Sequence, residues 1–326
     1  MAKLIYIEKQ VRNHPRAQNI LKKLKCSNVV EINHFGEIFN RNSQNFRIQK
    51  ENVNYIIAAK TNNMVIPVPS PTSAVKGYYF SHMYNCFYDC TYCFLQGLFN
   101  SAYHVYFVNY EDFGKEILNI TKKTETNLWF FSGYDCDSLA SEKVTEFTSY
   151  FVPLFSNLKN CLLEIRTKSG QAKQLLKYDA HPNIICAFSL NPQSVIESYE
   201  KGTSSLLNRL NSMILLAKKG WNIGLRFDPI MLNCASKKQY IDLFEQALGS
   251  IPKKNIHSVS IGGFRLSENH HKKMKHIDPN NKLLFNENYD YCDKLWALKP
   301  EFRETELSLH EHLKKLIPNS TIFMSS

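Results

Sequence analysis

From about Gly77 to about Phe264 the sequence alternates between short strand-like runs and longer runs with helical spacing of apolar residues. The strand-like runs cover 77–80, 103–108, 127–131, 161–165, 183–190, 222–227 and 256–261. Between them, 112–120, 141–151, 171–178, 205–219 and 237–248 read as helices. Ser141 is placed to cap the second, which should stop before Pro153, with Val144, Phe147 and Phe151 inward. Gly220 is placed to end the fourth. Strand and helix in series make parallel strands joined by right-handed crossovers. Six or seven such strands predict an α/β barrel or partial barrel, and an open doubly wound sheet is the alternative. In a barrel the reactive groups lie where strands end. The loop after 77–80, Ser132-Gly133, Arg166 to Lys168, Ser189 to Asn191, Asp228 and Arg265 fall at such ends.

The flanks read differently. Strand runs at 3–7, 29–32 and 54–59 with a helix at 17–24 predict a small sheet with a helix against it. Pro67-Val68-Pro69-Ser70-Pro71 suits neither a central strand nor a helix, so it is expected to be a boundary. The expected division is 1–71, 72–266 and a C-terminal extension, 267–326. In that extension His270 and His271 lie in a lysine-rich run expected at the surface; metal ligation is the less favoured alternative. A helix at 307–316 and a strand at 321–324 close the chain.

No run approaches the length of a membrane helix, and the N-terminus lacks a signal-peptide pattern, so no membrane association and a cytoplasmic location are expected. Nine cysteines, an odd number over 326 residues, do not look like a disulfide framework. Net charge is +11, and residues 1–76 hold 12 Lys and Arg against 4 Asp and Glu. That surplus permits binding to a polyanion; a merely solvated basic surface is the plainer alternative.

Chemistry concentrates in Cys86-Phe87-Tyr88-Asp89-Cys90-Thr91-Tyr92-Cys93. Close thiolates on a loop can share one metal centre. Four would close a zinc site or hold a cluster fully, whereas three leave one corner open to an outside ligand. The alternatives are a zinc site completed by His82 or His104, or unligated buried thiols.

The cysteine spacing, followed by Phe94-Leu95-Gln96-Gly97, resembles the radical S-adenosylmethionine (SAM) enzymes. Nearly the whole chain resembles the spore photoproduct lyase family within them. The resemblance rests on Tyr6-Ile7-Glu8, Pro15-Arg16-Ala17, the cysteine loop with Leu95-Gln96, Arg166-Thr167-Lys168, Phe188-Ser189-Leu190-Asn191, Glu200 to Ser205 and Pro229-Ile230. It implies a partial (β/α)6 TIM-type barrel with a small N-terminal α/β unit. It implies a 4Fe-4S cluster on Cys86, Cys90 and Cys93, with SAM on the open iron. Ser132, Gly133, Asp137, Lys168, Ser189 and Asn191 are the implied SAM-binding residues. For Asp137 a helix-capping role, and for Lys168 a solvent-facing one, are the plainer alternatives. The implied chemistry is reductive cleavage of SAM to a 5'-deoxyadenosyl radical, which takes hydrogen from a nucleic-acid substrate carrying a thymine lesion. A one-electron reductant such as flavodoxin or ferredoxin is expected, with the enzyme a monomer.

Two positions depart from the family pattern. Tyr134 stands where the family has a hydrogen-donating cysteine, and Cys136 lies two residues on. Phe94 stands where the family has a tyrosine directly after the third cluster cysteine, while Tyr92 inside the loop is retained. Tyr134, Cys136 and Tyr92 are therefore the catalytic candidates. Both departures touch the lesion chemistry and spare the SAM-cleaving part. They keep open a radical enzyme with a non-DNA substrate, and a non-catalytic nucleic-acid-binding protein.

Overall fold

A computed structural model describes residues 4–69, 75–318 and 322–324. The chain forms two compact units: one runs to Phe87 and resumes over Leu95–Leu163, the other combines Tyr88–Phe94 with Glu164 onward.

The first unit begins with β1 (Ile5–Glu8), α1 (Pro15–Leu24), β2 (Val29–Ile32), α2 (Phe46–Lys50), β3 (Tyr55–Ala58), β4 (Val65–Val68), β5 (Val75–Phe80) and β6 (Met83–Tyr84). After β7 (Asp89–Cys90), which belongs to the second unit, come α3 (Leu95–Leu98), β8 (His104–Phe107), α4 (Tyr110–Lys122), β9 (Asn127–Ser132), α5 (Glu142–Thr145) and α6 (Phe147–Ser156). The unit boundary falls inside β10 (Cys161–Thr167). One sheet runs β2-β1-β3-β8-β6, parallel except for β6. Ile5, Ile7, Ile57 and Tyr106 of this sheet share a core with Ala17 and Ile20 of α1. Thus the expected lead-in sheet forms, and the strand at 103–108, read as part of the barrel series, joins it instead. Its residues are all buried, so period-two patterning carried no signal about which sheet it would enter.

β5 pairs in parallel with β9, and Phe80 packs with Phe113, Phe147, Phe151 and Phe155. Pro67 lies inside β4, antiparallel to β5, rather than in a boundary loop. It is exposed on an outermost strand, the place in a sheet where proline is tolerated. Ser70 and Pro71 of the expected boundary lie outside the described residues.

The expected helix 141–151 is two helices. Glu146 adopts a left-handed conformation, φ +49°, between α5 and α6, and Ser141 makes no capping bond. Buried Glu142 instead accepts the Thr148 N–H at 3.2 Å, capping the second helix. That helix runs through Pro153.

The second unit holds the rest of β10, then β11 (Ile184–Ser189), α7 (Gln193–Tyr199), β12 (Glu200–Lys201), α8 (Leu206–Lys218), β13 (Asn222–Ile230), α9 (Lys237–Gly249) and β14 (Ile256–Gly263). It ends with β15 (Arg265–Ser267), α10 (Glu268–Ile277), β16 (Tyr289–Cys292), β17 (Leu295–Leu298), α11 (Glu304–Leu316) and β18 (Ile322–Met324). The strand order is β10-β11-β13-β14-β18, and the pairings from β11 onward are parallel. The expected helix 171–178 is a 3-10 helix, Gly170–Lys177. Gly220 ends α8 at φ +88°, and Ser236 with Gln239 forms a capping box on α9. Of the closing strand, Thr321 lies outside the described residues.

The histidine run forms α10, and His271 is not at the surface. It is buried, bonded to the Tyr291 hydroxyl and the Leu284 carbonyl at 2.8 Å each, and stacked on Trp296. Both ring nitrogens are thereby occupied by packing partners.

Candidate active site

In the first unit the site residues follow β9. Gly133 takes φ +99°, and a Cβ there would lie 2.4 Å from Ser138 Oγ and 3.0 Å from the Cys136 carbonyl. Only glycine turns the chain so tightly. The Ser132 and Ser138 hydroxyls bond at 3.0 Å. Asp137 Oδ1 accepts the Leu139 and Ala140 N–H groups at 3.0 and 2.9 Å, an Asx turn ahead of α5. The Tyr134 ring is 49% exposed and stacks on Tyr79 at 4.4 Å. Cys136 is buried, and burial pushes its thiol well up, helped by Cys86, Asp135 and Asp137. Its sulfur therefore keeps its hydrogen at neutral pH. Lys50 Nζ donates to the Cys86 carbonyl at 3.1 Å.

Sequence reasoning missed the ionic surroundings of this loop. Asp135 is pushed up by burial and drawn down by Ser81 and Lys60. Lys60 is almost fully buried, 4.8 Å over the Tyr84 ring, and burial lowers its ammonium. Burial and Asp135 push the Tyr79 phenol up to about 12. Lys60 lies outside the strand-helix series, and only folding brings it near Asp135.

In the second unit β7 pairs antiparallel with β12, Cys90 opposite Glu200. Cys90 is buried and Cys93 half-buried. The Tyr92 hydroxyl donates to Glu200, which also accepts from Asn191 Nδ2 at 3.1 Å and pairs with Arg209. Although burial opposes it, Arg209 and Lys168 hold the Glu200 carboxyl below its ordinary range. Lys168 Nζ lies 5.7 Å over the Tyr92 ring. Ser189 Oγ accepts from Arg166 Nε at 3.4 Å; Arg166 pairs with Asp228, which accepts the Ser260 hydroxyl at 2.7 Å. Against the cost of burial, Arg166, Ser260, Arg226 and Lys168 hold the Asp228 carboxyl down. The Phe94 ring meets His270 edge-on at 5.7 Å. Lys168, Tyr92 and Asn191 are thus gathered around one buried acid that was noticed in the sequence only as part of a motif.

The thiols of the cysteine loop are right in kind for an iron-sulfur cluster, with Cys86 and Cys93 half-buried. Among the described residues no three His, Cys, Asp or Glu side chains are gathered as a metal-ligand group. His82 is fully buried and burial lowers its imidazole to about 3, so it stays neutral at physiological pH.

The family model described as spore photoproduct lyase matches residues 1–320. The chain belongs to the spore photoproduct lyase family. This makes it a radical SAM enzyme of the lyase type. The spore photoproduct lyase of Clostridium acetobutylicum is 22% identical over 290 residues, covering 87% of this chain and 84% of that protein. The enzyme of Bacillus subtilis strain 168 is 23% identical over 261 residues, 79% of this chain and 76% of its own. Among solved structures, a spore photoproduct lyase double mutant with bound AdoMet and dinucleoside spore photoproduct matches with a TM-score of 0.82 and 16% identity, over 99% of this chain and 98% of that one. Spore photoproduct lyase complexed with the dinucleoside lesion matches at 0.80 and 17% identity, with the same coverage. The family fold is therefore this chain's fold, an α/β half-barrel rather than a doubly wound sheet. Among the described residues no helix is long and apolar enough to cross a membrane.

Proposed function

We propose that this enzyme acts on a thymine lesion of the spore photoproduct type in DNA, holding a 4Fe-4S cluster through Cys86, Cys90 and Cys93. The match over residues 1–320 together with the intact cysteine spacing carries this reading. When bound, the cluster and AdoMet supply a 5'-deoxyadenosyl radical as hydrogen abstractor.

This chain's residues do the remaining work. The turn at Ser132-Gly133 offers backbone groups to the amino end of AdoMet, and Lys168 offers a cation to its carboxylate. Ser189 and Asn191, at and just past the end of β11, are assigned to the ribose and adenine side by the family pattern, although both are buried and the Asn191 amide is bonded to Glu200 and Tyr240. Asp137 suits a ribose hydroxyl, with one of its oxygens already in the Asx turn. For hydrogen return to the product, Tyr134 is the favoured source because its ring is 49% exposed, whereas Cys136 is 5% exposed. Tyr92 serves catalysis through its hydroxyl bond to Glu200. Phe94 carries no O–H and moves no hydrogen.

In this reading 1–71 is a small basic unit, 72–266 the barrel and 267–326 an extension. The enzyme works as a cytoplasmic monomer with a flavodoxin- or ferredoxin-class electron donor. The basic surplus of the first segment suits DNA phosphates. Arg12, Arg16 and Lys23 are paired with Glu31, Glu111 and Glu146, while Lys22, Lys25 and Arg41 are exposed.

The test is anaerobic reconstitution with iron and sulfide, reduction with AdoMet, and mass spectrometry of 5'-deoxyadenosine and of dinucleoside spore photoproduct. Lesion loss with deoxyadenosine formation, both abolished in Cys86→Ala, is expected. Deoxyadenosine without lesion loss would move the substrate elsewhere. Retained AdoMet cleavage in Cys86→Ala with an intact cluster would sink the ligand assignment.

A further inference from the structure

The arc Tyr88–Phe94, which carries the second and third cysteines, is short and has little regular structure of its own. Its backbone is tied at four points. Cys90 lies opposite Glu200 in the β7–β12 pair, and Thr91 N–H donates to the Tyr199 carbonyl at 2.9 Å. Asn281 Nδ2 donates to the Thr91 carbonyl at 3.0 Å, and Cys93 N–H closes back on the Cys90 carbonyl at 3.0 Å. From the arc, the Tyr92 side chain reaches inward to bond Glu200.

Glu200 and Arg209 form an ion pair with both side chains at 0% exposure. It is bonded on several sides. Glu200 accepts from Tyr92 and from Asn191, whose own oxygen accepts the Tyr240 hydroxyl at 3.2 Å. Arg209 Nε donates to the Ser204 carbonyl at 2.9 Å, Nη1 to the Ser189 carbonyl at 2.9 Å, and Nη2 to Thr203 Oγ1 at 2.7 Å. The pair thus ties the cysteine arc, the end of β11 and the 203–204 turn together.

Desolvating two charges costs about as much as their attraction returns, so an apolar cluster would serve stability as well. What an apolar cluster lacks is direction. A directional ionic network fixes relative position, and fixing register is the best-attested use of buried ionic groups. We infer that Glu200 and Arg209 are positioning residues. They hold Cys90 and Cys93, through Tyr92, in fixed register with Ser189 and Asn191. Tyr92 is then a tether, and its hydroxyl acts by holding the arc. This inference rests on the proposed cluster and AdoMet sites.

The test uses Tyr92→Phe, which removes one hydroxyl, and Glu200→Gln, which keeps shape and removes charge. In the full-length apo protein, amide exchange of peptides spanning 88–94 is expected to rise on the order of tenfold in both, with β1 and β3 peptides unchanged. After reconstitution, Tyr92→Phe is expected to keep wild-type iron content and to melt cooperatively, lower than wild type by no more than about 10 °C. The shift that AdoMet causes in the electron paramagnetic resonance spectrum of the reduced wild-type cluster should weaken or broaden. Exchange unchanged in the arc, or raised equally everywhere, overturns the inference. So does a wild-type AdoMet shift in Tyr92→Phe, even with faster exchange. Should Glu200→Gln fail to fold, Tyr92→Phe decides alone, since a phenyl ring fills the same space. Wild-type protein that takes up no iron would strike the proposed function instead, and leave the exchange result to judge the tether.

Discussion

His82 shows how a single residue can set a pH limit. Among the described residues neither ring nitrogen has a hydrogen-bond partner, and its ring packs 4.4 Å from Phe147. Burial depresses its folded pKa to about 3 from an ordinary 6.5. At neutral pH the ring is largely uncharged in both states, so its titration costs little there, although its unpartnered nitrogens still carry a desolvation cost. As pH falls below the unfolded value, the unfolded chain binds a proton that the folded chain refuses, so stability is lost. Between about pH 7.5 and about pH 5.5 the loss from this residue is expected to be about 1.4 kcal/mol. Urea midpoints should fall over that window in wild type and fall less in His82→Leu; equal slopes would remove His82 as the cause. At the same scale, Tyr134→Phe and Cys136→Ala separate the two hydrogen sources. Loss of lesion turnover with retained 5'-deoxyadenosine formation is expected for Tyr134→Phe, and mass spectrometry of both products reads it.

Turns and caps decide the elements. In Gly133→Ala the added methyl meets the Cys136 carbonyl at 3.0 Å in a left-handed backbone, so a loss of roughly 1–3 kcal/mol is expected, read by denaturant midpoint. Ser236→Ala removes half of a capping box on α9 and should cost about 1 kcal/mol in the same assay. The gap between α5 and α6 teaches a different lesson. Its left-handed residue is Glu146, not glycine, and its carboxylate is held by Lys23 and by Asn19. Those partners are 123 and 127 residues away along the chain, where no local pattern reports them. The same holds for β8, whose sequence says strand but whose sheet is chosen by β3 and β6.

For the whole molecule, charge links the chain to a polyanion. Replacing exposed Lys22 and Lys25 with alanine should lower the slope of log Kd for DNA against log salt by roughly two. An unchanged slope would place the phosphate contacts elsewhere. Sequence alone determined the fold class, because strand-helix alternation is a local property with few architectural solutions. It also determined the family, because membership is carried by residue identity and spacing along the whole chain. It marked Ser132-Gly133, Lys168 and Ser189-Leu190-Asn191, because strand ends are legible wherever apolar runs stop. Only the tertiary structure showed Tyr92 turned to Glu200, Arg209 spent on that acid, Lys60 near Asp135, and His271 packed on Trp296. These are contacts between distant segments, and a buried charge looks the same in sequence as a solvated one until folding chooses its neighbours.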